Sequence, residues 1–295
     1  MTTAAVQTPF QRIATDFARS RLAIVGLLML ALVIAIALFA PVLSPQNPYD
    51  LAQIDVMDSK LGPGEKSMAG KTYWLGTDDQ GRDMLSGIFY GLRISLGVGV
   101  LSTLLALSLG IVFGLSAAWF GGKVDTLIMR VCDIQLSFPA ILIALILLAV
   151  LGQGVDKIII ALVTVQWAYY ARTVRGAALV ERGKEYVEAA RGLGLSSTRI
   201  LFRHLLPNVL PPLIVVATVQ VAHAIALEAT LSFLGLGLPI TEPSLGLLIS
   251  NGFQYLMSGK YWISFYPGLA LLLTIVAINL VADQLRDVLN PRLQK

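Results

Sequence analysis

Few side chains in this sequence are placed to do covalent or metal chemistry. It holds two histidines, His204 and His223, and one cysteine, Cys132, too far apart along the chain to give a metal-ligand spacing. A single cysteine excludes a disulfide scaffold, and Cys132 reads as an inert small residue at a helix start. Glu228 is the one acid inside an apolar stretch. An ionisable group in hydrocarbon costs a few kcal/mol and faces protein or water. Counting from Val209 puts it near the outer end of its stretch, where it is a candidate outer gate acting on Leu231–Leu238 through hydrogen bonds. His223 lies five residues earlier. At about 100° per residue the two sit roughly 140° apart around a helix, which argues against a proton relay between them. No Gly-x-x-x-x-Gly-Lys-[Ser/Thr] phosphate loop occurs, and no nucleophile–base arrangement or carboxylate pair stands out. Catalytic, cofactor-binding and metal-binding residues are therefore expected to be none, and any ATP-derived energy would have to come from another subunit.

The surrounding composition places these residues. Of 295 residues, 56% are hydrophobic and 14% charged. A soluble domain carries about 25% charge and could not hide so much apolar surface. Disorder, coiled coil and collagen are excluded by the same figures. Continuous rather than alternating apolar stretches disfavour a β-barrel. The expected fold class is an all-α polytopic membrane protein. A bilayer core of about 30 Å needs roughly 20 apolar residues, and six stretches qualify, near 22–43, 94–119, 134–152, 158–174, 209–230 and 262–281. The first is too long for a signal-peptide core of about 7–15 residues and reads as a retained helix.

Charge orients the spans. With the N-terminus in the cytoplasm, the inner segments hold 15 of the 22 Lys and Arg residues and the outer ones 7, giving net charges of +7 and −2. The basic balance thus reports the positive-inside bias and not nucleic-acid binding. The expected plan is a cytoplasmic tail (1–21), a first transmembrane helix (22–43), an external loop with an interfacial helix (44–92), a transmembrane domain (93–283) containing a cytoplasmic segment (183–207), and a cytoplasmic tail (284–295).

Two soluble stretches have local signals. Thr77-Asp78-Asp79-Gln80 has the form of a capping box that would start an interfacial helix through Met84, Leu85, Ile88 and Phe89. Arg82 and Asp83 beside it are candidates for contact with a partner or receptor. On the inner side, Glu185–Arg191 favours a short helix, Gly192 and Gly194 end it, and Ser196 or Ser197 can cap a second helix with Ile200, Leu201, Leu205 and Leu206 on one side. Pro207 and Asn208 then break the chain, Pro211-Pro212 begin the fifth span, and Pro139 is a candidate kink in the third. Ala189 and Ala190 leave a small face, Tyr186 and Val187 offer apolar anchors, and Glu188 and Arg191 offer charged hydrogen bonds.

These residues carry a resemblance. Glu188-Ala189-Ala190, Gly194 and Leu206-Pro207 resemble the EAA motif of permease subunits in binding-protein-dependent ABC importers. His204 departs from the motif's isoleucine and is similar to the peptide-importer branch. Residues 75–96 (LGTDDQGRDMLSGIFYGLRISL), 228–238 (EATLSFLGLGL) and 283–293 (DQLRDVLNPRL) resemble the dipeptide/oligopeptide/nickel branch, and the long loop ending in Leu75-Gly76-Thr77-Asp78 resembles its second, C-type permease. Leu245 departs where members often place Trp.

The resemblance implies a type I ABC importer permease fold in a bacterial inner membrane, with both termini cytoplasmic. It implies an ATPase-coupling set of Tyr186, Glu188, Ala189, Ala190, Arg191, Gly194, Leu206 and Pro207. It also implies a homologous permease partner, two ABC ATPases that carry the ATP and magnesium, an extracytoplasmic solute-binding protein, and small peptides as solute. The alternative is an ion-coupled secondary transporter acting alone, which the single acid and the lack of an evident repeat disfavour.

Overall fold

The structure, a computed structural model, describes residues 15–239 and 241–289. Arg12 and the run Asn290–Leu293 of the family-like C-terminal stretch lie outside the described residues.

Ser20 opens the first long helix by accepting the Ala23 amide on its hydroxyl at 3.3 Å. Helix α1 is Arg21–Leu38, apolar throughout, and a one-turn helix Ala40–Leu43 follows a break at Phe39. At 1.5 Å per residue α1 is about 27 Å long, close to a bilayer core. The expected 22–43 span is therefore one helix plus a bent extra turn.

The capping box does not form. The Thr77 hydroxyl instead donates to the Asp58 carbonyl at 2.5 Å and accepts the Leu61 amide at 2.8 Å. Backbone bonds from Lys60 to Asp78 and from Thr77 to Leu61 pair these two stretches of the outer loop. The helix is capped six residues later by Asp83, whose carboxylate accepts the Ser86 amide at 2.8 Å. Helix α2 then runs unbroken from Met84 to Phe120. The expected interfacial helix and second span are thus one helix, and the expected boundary at residue 93 falls inside it.

Gly121, at φ +63°, separates α2 from α3 (Gly122–Leu136). Helix α4 (Ala140–Leu151) meets α3 at 89°. Pro139 sits at the joint, where it cannot donate a helix bond and its ring clashes with the preceding turn. Twelve residues make α4 about 18 Å long, too short to cross alone. The third expected span is accordingly a bent pair and not a kinked single helix.

Helix α5 spans Val155–Arg182, longer than the expected 158–174. It packs lengthwise on α2 because Gly110 and Gly114 lie one turn apart on the facing side. A Cβ at Gly114 would stand 2.6 Å from the Ala171 carbonyl and from Val174. Small residues at this spacing let membrane helices approach closely. Among the described residues, α1, α2, α7 and α9 are long and apolar enough to cross a membrane, with the α3–α4 pair as a fifth. Helix α5 falls short of that apolarity, with Arg172, Arg175 and Arg182 in its last turns, yet it is shielded by protein along one face.

Helix α6 is Glu185–Gly192. Helix α7 is Ser197–Phe233, continuous through one π-helical turn at Leu201–Leu205. No break occurs at Pro207, and Pro211 and Pro212 lie inside the helix, not at its start. The prolines still matter locally. Pro207 has no amide for the Arg203 carbonyl, and Asn208 Nδ2 bonds the neighbouring His204 carbonyl at 2.7 Å. Helix α8, Leu245–Phe253, capped by Ser244, was not expected within the outer segment 235–261. Helix α9, Trp262–Leu289, is the last helix among the described residues and packs Leu280 into the notch left by Gly26 of α1.

Candidate functional site

The hairpin of α6 and the start of α7 is built by burying one face of each arm. Val187 and Ala190 of α6 and Ile200, Leu201 and Leu205 of α7 are buried in one cluster with Leu115 and Ala118 of α2, Val174 and Ala178 of α5, and Val209 and Leu213 farther along α7. Gly194, at φ +68°, makes the reversal, with the Gly194 amide on the Arg191 carbonyl and the Leu195 amide on Ala190. Left-handed backbone here suits glycine alone at no cost.

Polar contacts lock the same joint. The Arg191 guanidinium lies 4.4 Å from the centre of the Trp119 ring. The Tyr186 hydroxyl donates to Glu181 Oε2 at 2.8 Å, and Asn208 Nδ2 donates to Tyr186 at 3.3 Å. Burial, then the Glu181 carboxylate, push the Tyr186 hydroxyl up to about 12. Lys184 Nζ completes the group on Glu181 at 2.6 Å.

The eight sequence-predicted coupling residues therefore divide. Glu188, Ala189, Arg191, Gly194 and Pro207 are exposed, whereas Tyr186 and Leu206 are half-buried and Ala190 is in the core. Ala189 and Ala190 do not form one small face. Leu193, at the tip, is 79% exposed and had no place in the expected set. Its signal in the sequence was only its position between two glycines.

In the loop before α2, Arg82 and Asp83 are 3% and 2% exposed. Arg82 Nε pairs with Asp78 Oδ2 at 2.6 Å, and the Asp83 amide donates to Gln46 Oε1 at 2.6 Å. The Arg82 side chain is spent on Asp78 within the loop and the Asp83 carboxylate on the Ser86 amide and hydroxyl in the first turn of α2, so neither presents a surface to a partner, contrary to expectation.

Glu228 is fully buried rather than wet. Its two carboxylate oxygens accept the hydroxyls of Ser95 on α2 and Ser232 on α7, each at 2.8 Å. Gly246 passes so close to Ala229 that a Cβ would collide with its carbonyl. The carboxyl thus joins α2 to the last turns of α7 beside the start of α8.

A cleft of about 790 Å³ runs along α7 from the hairpin, between α5 and the end of α9. Asn208, Glu181 and Arg286 line one end, and Tyr169, Gln220 and His223 line it farther along. His223 thus faces the cleft while Glu228, around the helix, faces the packed interior.

Comparison with known proteins places these features together. Residues 110–295 match the model of the binding-protein-dependent transport system inner membrane component, and residues 8–63 match the N-terminal transmembrane domain of oligopeptide transport permease C. The chain is 37% identical to an oligopeptide transport system permease protein of Bacillus subtilis over 95% of this chain and 88% of that protein. It is 35% identical to a glutathione transport system permease protein of Pectobacterium atrosepticum over 98% and 93%. Its fold resembles a chain of the inward-facing MetNI methionine ABC transporter, with a TM-score of 0.54 and 21% identity over 70% of this chain and 97% of that one.

Proposed function

Because the chain belongs to the family of binding-protein-dependent transport system inner membrane components, we propose that it is the permease subunit of a peptide importer, paired with a homologous permease and driven by two separate ATPases. It is a multi-pass membrane protein, and the 15-to-7 bias of Lys and Arg supports cytoplasmic termini.

The seat of the hairpin carries this reading. Helix α6 exposes Glu188 and Ala189, with Leu193 exposed just past its end, while Val187 and Ala190 anchor the other side among α2, α5 and α7. A force applied to the exposed side reaches three long helices through packed side chains that cannot yield independently. Closure of the ATPase pair on ATP would move α6, and the spans with it. The π-helical turn at Leu201–Leu205 and the missing amides of Pro211 and Pro212 leave α7 the weakest backbone ladder along that route. A receptor outside delivers the solute, and the rocking of the two permeases switches the cavity from outward to inward. ATP and magnesium belong to the ATPases, since this sequence has no phosphate loop.

The rival, an ion-coupled transporter acting alone, is expected to carry a buried acid near the midplane on the solute path. Glu228 is instead satisfied by two serines in a packed interior.

Proteoliposomes containing both permeases, the ATPases and the receptor test the reading. Uptake of labelled peptide should require ATP and be indifferent to ion gradients. Glu188→Lys and Gly194→Asp should leave assembly intact and uncouple hydrolysis from uptake. Uptake by this chain without an ATPase, or normal uptake by both variants, overturns it.

A further inference from the structure

The order of polar and apolar groups along the cleft bears on what it can hold. Glu181 and Asn208 meet at the Tyr186 hydroxyl, so α5 and α7 run antiparallel from a common inner end. Gln220 on α7 and Tyr169 on α5 are each 12 residues from that end, about 18 Å at 1.5 Å per residue, and so lie at one level. His223 is one turn farther. Pro212, Val216 and Val219, spaced four and three residues apart, form an apolar wall below them.

Three features of the upper group stand out. A phenol, a carboxamide and an imidazole each both donate and accept hydrogen bonds. Neither Gln220 nor His223 makes a side-chain hydrogen bond among the described residues, nor does the Tyr169 hydroxyl. Among the described residues, no carboxylate, ammonium or guanidinium lines the cleft at that level, the charged lining residues Glu181 and Arg286 being at the hairpin end.

A peptide unit presents one donor and one acceptor at fixed spacing, whatever its side chains. We propose that Tyr169, Gln220 and His223 form a station for the amide backbone of a peptide in transit, with the Pro212–Val216–Val219 wall taking side chains without selecting among them. This rests on the peptide-importer reading. The relatives named for oligopeptides and for glutathione carry solutes that share amide bonds and differ in charge and side chain. Neutral hydrogen-bonding groups suit such a path, which must hold its solute weakly enough to release it.

The reconstituted complex with its receptor tests this, with trialanine as the probe. The double variant Gln220→Ala/His223→Ala should lower the ATP-driven uptake rate at least fivefold while receptor-stimulated ATP hydrolysis stays within twofold of wild type. His223→Gln, which keeps a donor and an acceptor, should recover at least half the rate. In a Cys132→Ala background, His223→Cys should react with a water-soluble methanethiosulfonate, and trialanine delivered by the receptor should slow that reaction. Wild-type uptake by the double variant removes the station while leaving the importer reading intact. So does parallel loss of uptake and hydrolysis, which marks a coupling role. His223→Cys that stays unreactive in every nucleotide state means that lipid or a partner helix fills the cleft, and it also removes the station. A wild-type complex that hydrolyses ATP on receptor binding yet takes up no trialanine removes the peptide reading and the station together.

Discussion

Arg191 stacks on Trp119 with its guanidinium 4.4 Å from the ring centre, and this ties the exposed helix of the hairpin to the last turn of α2. A cation over an indole at a partly exposed site contributes about 0.5–1 kcal/mol. That is small against folding but large against a joint that must transmit force without slack. Trp119→Ala is expected to leave membrane insertion and ATPase binding unchanged and to raise the ATP hydrolysed per peptide imported by about two- to fivefold. Arg191→Lys, a weaker stacking partner, should fall between. The ratio of hydrolysis to uptake in proteoliposomes is the measurement, and an unchanged ratio in Trp119→Ala would assign the pair to packing alone.

Glu228 joins two helices through Ser95 and Ser232, each at 2.8 Å. Replacement by Leu leaves two buried hydroxyls without their acceptor, a loss of about 1–3 kcal/mol per orphaned group. Glu228→Leu should therefore lower the thermal midpoint of the purified protein by several degrees. Glu228→Gln keeps one acceptor oxygen and should lose much less. If ordering of the 231–238 segment at an outer gate is the residue's task, Glu228→Gln will also slow uptake. Uptake equal to wild type at every pH tested would leave Glu228 a structural tie only.

How far the fold is legible depends on the length scale of each signal. Apolar runs of about 20 residues locate α1, α2, α7 and α9 because nothing else in a sequence resembles them. Pro139 is visible as a bend, but the 89° angle is set by where α4 packs, which no local pattern states. Helix α8 escapes because the nine residues after Ser244, with Ser250, Asn251 and two glycines among them, look the same as a buried loop. The capping box at Thr77 has correct local chemistry, yet the Asp58 carbonyl and Leu61 amide, close only in the folded loop, take the hydroxyl first. The candidate site divides in the same way. The hairpin is legible from Glu188 to Pro207 because its glycines and motif residues are local. The cleft is not, since Tyr169 and Gln220 are brought level, with His223 one turn beyond, only by the antiparallel packing of α5 on α7.

Gly246 sits where a Cβ would overlap the Ala229 carbonyl, and Gly237 where one would overlap Ser232. Both obstacles are close to or within the backbone, so no rotamer change relieves them. Overpacking of this kind costs about 1–3 kcal/mol and more where backbone must move. Gly246→Ala should push α8 off α7 and reduce the yield of folded, monodisperse protein severely. Gly192→Ala, at an exposed position with open space around it, is the control and should fold as wild type. Equal behaviour of the two variants in size-exclusion chromatography would mean that α8 is not seated as described.

Asp79 lies in the outer loop, half-buried, with its Oδ1 lacking a hydrogen-bond partner among the described residues. Burial, then the neighbouring Asp78 carboxylate, raise its carboxyl above the ordinary carboxylate range, against the pull of Arg82 and Lys60. A carboxyl whose folded value is raised favours the folded state when protonated. Its contribution is intact below the unfolded value, near 3.9, and is lost as pH climbs through the folded value. At neutral pH the ionised Asp79 therefore opposes folding of the loop, by less than about 1 kcal/mol because water still reaches it. Asp79→Asn should melt at a higher temperature than wild type at pH 7, and the gap should narrow by pH 3.5, as Asp79 takes up its proton. Thermal midpoints of the two proteins across that range decide it: an advantage for Asn that persists undiminished at pH 3.5 would point to a hydrogen bond made by the amide and not to relief of charge.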